Sequence, residues 1–131
     1  MSFFCGNIDV RTLSPLVLAF IGDGVYEQYV REWIVSAGNA PIGDINQKKQ
    51  ALVSARFQAG LMENLLPLLS EEETAVYKRG RNAKTGSIPK NGDHSSYHSA
   101  TGFEALIGYL HIVGRKSRIE ELLCDRLNRK I

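Results

Sequence analysis

The stretch Leu16-Val-Leu-Ala-Phe-Ile-Gly-Asp-Gly-Val25 decides how this chain is read. Ser14 and Pro15 stand before it as an N-cap and a first-turn proline, which is how a helix begins. Apolar positions continue through Tyr29, Val30, Trp33 and Ile34 at spacings of three and four, the pattern of a buried helix face. The spacing predicts a helix from Pro15 to about Ser36. Gly22 and Gly24 weaken it locally by about 1 kcal/mol each, yet the pattern resumes intact beyond them. Into this apolar run the sequence sets one carboxylate, Asp23. An unpaired carboxylate in an apolar interior is costly or changes its pKa. Asp23 therefore needs a cation, a network of donors or an opening to solvent.

A second stretch poses the same problem. Phe103-Glu-Ala-Leu-Ile-Gly108 sets Glu104 inside a helix predicted from about Tyr97 to Val113. Two readings of the acids stay open. Each faces solvent from an amphipathic helix, with Asp23 beside an arginine; or the two meet across a helix–helix interface and hold a hard divalent cation. Mg²⁺ prefers oxygen ligands and keeps several waters, so two carboxylates suffice for a water-rich site. Glu27 lies four residues after Asp23 and shares its helix face. It is either an outer-shell partner or second ligand of such an ion, or, more simply, a solvent-facing acid that balances Arg31.

The rest of the chain reads as further helices. Residues 1–12 form an irregular lead-in, and Gly38 to Gly43 a turn. A second helix begins near Asp44 or Asn46 and runs towards Leu69, with Gly60 and Pro67 inside it; the proline kinks it, ends it or divides it in two. Ser70 and Glu73 have capping-box spacing for a third helix reaching Arg79 or Arg81. Residues 80–96 hold three glycines, one proline and Ile88 as their one large aliphatic. Such a stretch predicts a flexible, exposed loop, long enough to be functional or disordered. A last helix covers Ser117 to Leu127, with Ser117 and Glu120 again at capping-box spacing. No stretch sustains two-residue alternation, so the fold class is all-α, a helical bundle in one domain over residues 1–131.

Bulk properties narrow the function less. The net charge of +2 is uninformative by itself. Its distribution is more telling: Lys78 to His98 carries five basic residues and one acid. Duplex RNA is recognised through its shape, phosphates and 2′-hydroxyls, and Arg79, Arg81, Lys84 and Lys90 are candidates for phosphate contacts. His94, Tyr97 and His98 could add neutral donors or stacking. The alternative is a solvated connector. Arg115, Lys116 and Arg118 read as ordinary charged surface. Cys5 and Cys124, near opposite ends, read as reduced thiols. No apolar run is long enough to span a bilayer, and no leader pattern opens the chain, so the expected location is cytoplasmic and no membrane partner is expected.

At the two acidic stretches the chain resembles a known family. Phe20-Ile-Gly-Asp-Gly-Val25 resembles the signature helix of the ribonuclease III domain, and Phe103-Glu-Ala-Leu-Ile-Gly108 resembles its second acidic helix. More closely, the chain is similar to the short bacterial form, Mini-ribonuclease III, which is the catalytic domain without a double-stranded-RNA-binding domain. Arg79-Gly-Arg-Asn-Ala-Lys84 and the loop after it look like that form's insertion. The resemblance covers nearly the whole chain. It implies the ribonuclease III endonuclease-domain fold and a homodimer with double-stranded RNA in a valley across it. It implies Asp23 and Glu104 as catalytic, metal-holding residues. It also implies a Mg²⁺-activated water that cleaves a phosphodiester to a 5′-phosphate and a 3′-hydroxyl. The task it implies is maturation of the 23S ribosomal RNA precursor, with assistance by a ribosomal protein left open.

The chain departs from the full-length family's pattern at two positions. Ala19 and Thr101 stand where that family has further acids. A full two-metal clamp would then draw ligands from water, RNA phosphate or Glu27. The departure motivates a second hypothesis, a non-catalytic RNA-binding or ribosome-assembly module on the same fold. A third, a helical interaction protein unrelated to RNA, rests on composition alone.

Overall fold

The computed structural model of this chain describes residues 8–84 and 93–130, the side chains of 129 and 130 excepted. Among the described residues there are six α-helices, two short 3₁₀ turns and no strand. The helices are α1 (Pro15–Val35), α2 (Ile42–Val53), α3 (Ala55–Leu65), α4 (Glu71–Arg81), α5 (His94–Ile112) and α6 (Lys116–Lys130). The all-α bundle expected from the hydrophobic periodicity is the fold observed.

Local signals account for most helix ends. Ser14 caps α1, its Oγ accepting the Val17 N–H at 3.2 Å. The Ser70–Glu73 capping box forms with both of its bonds: the Glu73 N–H donates to Ser70 Oγ at 3.1 Å, and the Ser70 N–H to Glu73 Oε1 at 2.9 Å. Three expectations need correction. Of the readings left open for residues 44–69, the division into two helices is found, but the break is at Ser54 and not at Pro67. Ser54 takes an extended ψ of 153° and caps α3 by accepting the Phe57 N–H at 3.2 Å. Pro67 instead lies in the 3₁₀ turn Leu66–Leu68 that follows α3. Ser117 does not cap α6, because the helix has already begun at Lys116, with the Arg115 carbonyl accepting the N–H groups of Arg118 and Ile119. The stretch expected as a loop over 80–96 is helical at both described ends. α4 runs through Arg81, and α5 starts at His94, capped by Asp93. The segment between, with Lys90, lies outside the described residues.

α5 is the central helix. Its Phe103, Leu106, Ile107 and Leu110 are fully buried and pack with Tyr26, Val30, Leu61, Leu65, Ile119 and Leu123 from the helices around it. Tyr26 meets Phe103 edge-on, with ring centroids 5.1 Å apart, and its hydroxyl donates to the Leu52 carbonyl at 2.7 Å. This bond satisfies the polar tip of an otherwise buried ring. α1 crosses α5 at unusually short range. A Cβ on Gly22 would stand 1.7 Å from the Glu104 carbonyl oxygen, and one on Gly108 would stand 2.0 Å from that of Leu18. The two glycines let main chain pack on main chain, and this crossing sets the site.

Candidate active site

The glycine crossing puts Gly22 against the backbone of Glu104, and so brings the next residue of α1, Asp23, beside Glu104. Asp23 is exposed and Glu104 half-buried. The two carboxyls act on each other: burial first, then the hydrogen-bonding and charge of Asp23, push Glu104 up to about 8, against a smaller opposing effect of Gln58. Among the described residues, no lysine or arginine forms an ion pair with either acid. Two like charges thus share one opening without an internal cation to offset them. Such a pair is relieved by a proton or by a hard cation. Asp23 does face solvent, as the simpler reading has it, but among the described residues no arginine forms an ion pair with it.

The donor set suits a hydrated ion. All of its atoms are carboxylate oxygens, and one partner opens to solvent. Among the described residues no group of three or more acids, histidines and cysteines forms a cage. Ala19 is buried, and the Thr101 hydroxyl is spent on the Tyr97 carbonyl at 3.0 Å. Neither replaces a carboxylate.

Glu27 is engaged elsewhere. Arg31 donates to its Oε2 through Nε at 2.9 Å and Nη2 at 2.6 Å, and Lys49 Nζ stands 3.9 Å away. The simpler of the two sequence readings, an acid that balances Arg31, describes its place. Lys49, reaching across from α2, was not marked by any sequence signal.

Gln58 on α3 was missed by sequence reasoning. It is 1% exposed, and its Nε2 donates to Glu104 Oε2 at 3.4 Å and to the Val53 carbonyl at 3.3 Å. The available signal was a polar residue on the stripe that includes Leu61, Met62 and Leu65.

The basic candidates divide. Arg79 is exposed and Arg81 half-buried, both on the last turn of α4 and not in a loop. Arg81 sits over the Tyr77 ring, 5.6 Å from its centroid, and donates to Asn82 Oδ1 at 3.2 Å. Lys84 is exposed beyond the helix, and Lys90 lies outside the described residues. His94 is exposed at the start of α5, whereas the rings of Tyr97 and His98 meet edge-on at 5.7 Å. Of the residues expected as ordinary charged surface, Arg115 is exposed and pairs with Glu72, whereas Arg118 is half-buried and engages Glu73, Glu121 and the Leu68 carbonyl.

One apolar surface adjoins the site. Phe20, three residues before Asp23, is 79% exposed, and Leu16 and Val17 are exposed with it. A cavity of about 740 Å³ beside it is lined by Phe20, Asp23, Gly24, Tyr29, His111 and Glu120, among others.

Residues 16–115, which hold both acids, match the Ribonuclease III domain family. The Mini-ribonuclease 3 of Enterococcus faecalis is 45% identical over 117 residues, covering 88% of this chain and 89% of that protein. The Mini-ribonuclease 3 of Symbiobacterium thermophilum is 43% identical over 112 residues, with 86% of each covered. A crystal structure of a Fusobacterium nucleatum protein is similar at a TM-score of 0.85 and 27% identity, covering 93% of this chain and 99% of that one.

Proposed function

For a chain that belongs to the ribonuclease III family and is an endoribonuclease, we propose that Asp23 and Glu104 are its catalytic pair and that its cleavage of double-stranded RNA is Mg²⁺-dependent. The observation that carries this reading is the meeting of two carboxyls from α1 and α5, neither of which forms an ion pair among the described residues. Asp23 and Glu104 would hold the ion, Asp23 from the solvent side and Glu104 from the half-buried side. When bound, Mg²⁺ supplies Lewis-acid activation of a water nucleophile at neutral pH. Hydrolysis there would put the oxygen of a water on phosphorus, break the bond to the 3′-oxygen and give that oxygen a proton, leaving a 5′-phosphate and a 3′-hydroxyl. Arg79, Arg81, Lys84 and Lys90 contact phosphates along the duplex, which makes affinity fall steeply with salt. Glu27 enters only the ion's outer surroundings, because Arg31 and Lys49 already hold its carboxylate.

The protein works as a homodimer. The exposed Phe20, Leu16 and Val17 beside the α1 cavity support this reading. A two-fold interface covers the same patch on both subunits and lines up two Asp23–Glu104 pairs along one duplex. The substrate is the 23S ribosomal RNA precursor, cut in the cytoplasm; an assisting ribosomal protein is an additional partner to test. Among the described residues no helix is long and apolar enough to cross a membrane.

Ala19 and Thr101 favour one second reading, a non-catalytic RNA-binding or ribosome-assembly module. Incubation with structured precursor ribosomal RNA, with and without Mg²⁺, separates the two. The enzyme reading expects discrete Mg²⁺-dependent termini, lost in Asp23→Asn and Glu104→Gln while RNA affinity and fold persist. Full cleavage by Asp23→Asn overturns it, and binding without any product favours the second reading.

A further inference from the structure

We infer that Gln58 is a positioning residue for this site: its amide N–H holds Glu104 Oε2 and so orients the carboxylate as a cation ligand towards Asp23. The inference rests on the Asp23–Glu104 reading above and deepens it.

Gln58 is 1% exposed, and its Nε2 has two acceptors in reach, Glu104 Oε2 at 3.4 Å and the Val53 carbonyl at 3.3 Å. An amide nitrogen has two hydrogens, and both are used. Turning the amide over would set its oxygen against the Val53 carbonyl, which can only accept. Val53 ends α2, and the break at Ser54 starts a new helix, so the last carbonyl of α2 lies open to a side chain. The break thus fixes the amide's direction, and the amide fixes one oxygen of Glu104. The other side of the amide differs: among the described residues, Gln58 Oε1 is buried without a hydrogen-bond partner. A leucine or methionine would fill the position without that cost. A buried glutamine with one unsatisfied end is explained by what its other end does.

Gln58→Met and Gln58→Leu test the inference. Groups behind a metal ligand typically matter by about 10–100-fold in metal affinity or activity. Both variants are therefore expected to lose at least about tenfold in kcat. Mn²⁺ binding to the RNA-free protein, followed by electron paramagnetic resonance, is expected to weaken by about the same factor. RNA affinity in EDTA stays at the wild-type value, and the thermal midpoint does not fall. A midpoint that falls while kcat and Mn²⁺ affinity of the folded protein stay wild-type makes Gln58 a packing residue and overturns the inference. Should neither variant fold, the wild-type protein decides: the Gln58 side-chain amide resonances must shift as Mg²⁺ is titrated, and unmoved resonances overturn it. Asp23→Asn, run in parallel, distinguishes the two levels. If it too cleaves fully, the catalytic-pair reading has failed; if it is dead while Gln58→Met is fully active, only the role of Gln58 has failed.

Discussion

Gly22 and Glu104 touch main chain to main chain: a Cβ on Gly22 would stand 1.7 Å from the Glu104 carbonyl oxygen. The obstacle is backbone on a packed helix and not the flexible end of a side chain, so it cannot step aside. Gly22→Ala is therefore expected to push α1 off α5, at a cost of about 3 kcal/mol or more, and to part the two carboxyls. Gly60 makes the control. Nothing lies within 4 Å of a Cβ built there, and Gly60→Ala in α3 is expected to gain about 0.5–1 kcal/mol. Urea denaturation of both variants checks the contrast; equal effects would show that the crossing is looser than described.

Glu104 gives the metal-free protein a pH dependence of definite sign. Burial and then Asp23 raise it from 4.5 to about 8. Below the lower value both folded and unfolded chains hold the proton. Between the two values the unfolded chain releases it and the native state keeps it, so stability falls as pH rises, and the loss is complete above about 8. Because Glu104 is open on one side to solvent, the expected loss is discounted to about 2 kcal/mol. Glu104→Gln removes this slope and stabilises the metal-free protein at pH 9 by the same amount. A divalent cation bound at Glu104, as proposed, would have to displace the proton. Mg²⁺ binding at pH 7 is then expected to release about one proton per subunit, measured by calorimetry in buffers of different ionisation enthalpy. Binding with no proton release would contradict the assignment of Glu104 as a ligand.

Phe20 tests the proposed dimer. At 79% exposure it contributes little to the isolated subunit. Burying a phenylalanine side chain contributes about 2 kcal/mol, and a two-fold interface counts it twice. Phe20→Ser is expected to weaken dimerisation by about 4 kcal/mol, roughly a thousandfold, while leaving subunit helicity unchanged. Sedimentation equilibrium measures this. An unmoved dimer constant would place the interface elsewhere.

How far the sequence could be read depended on whether the deciding interaction was local. Ser14, Pro15 and the Ser70–Glu73 pair act within one turn: Ser14 and the pair cap the helices they were expected to cap, and Pro15 takes the first position of α1. Ser54 offered no glycine or proline as a marker. Its hydroxyl competes with the helix for the Phe57 N–H, and the pattern around it runs on as if unbroken. Ser117 and Glu120 have the spacing of a capping box, yet α6 starts ahead of them. The site shows the same limit. Asp23 and Glu104 stood out because carboxylates are anomalous in apolar runs. Their meeting depended on Gly22 lying under the Glu104 carbonyl, which spacing along either helix does not encode. Lys49 on Glu27 and Gln58 on Glu104 are contacts between helices, visible only after packing.

Arg118 was expected on the surface for the same reason, and it carries the last prediction. Its Nε donates to Glu73 Oε2 and its Nη2 to Glu73 Oε1, both at 2.9 Å, while Nη2 also reaches the Leu68 carbonyl at 2.9 Å. Glu73 is 3% exposed and also accepts the Ser70 N–H. One guanidinium therefore joins α6, the start of α4 and the turn before it. The Arg118 hydrogen bonds hold the Glu73 carboxyl below its usual range of 4.5. Its stabilisation is present above that value and lost as pH falls through the lowered one. Arg118→Leu leaves a buried carboxylate unpaired and is expected to cost about 3–5 kcal/mol at pH 7. Arg118→Lys recovers only part, because an ammonium cannot match the two-oxygen geometry. Glu73→Gln in the Arg118→Leu background restores part of the loss, since it removes the stranded charge. Denaturant midpoints at pH 7 and pH 3 measure all three variants. The cost of Arg118→Leu should shrink at the lower pH, where protonation of Glu73 removes the charge that Arg118 was holding. A loss under about 1 kcal/mol at pH 7 would instead be that of an exposed ion pair, and would mean that water reaches Glu73 in solution.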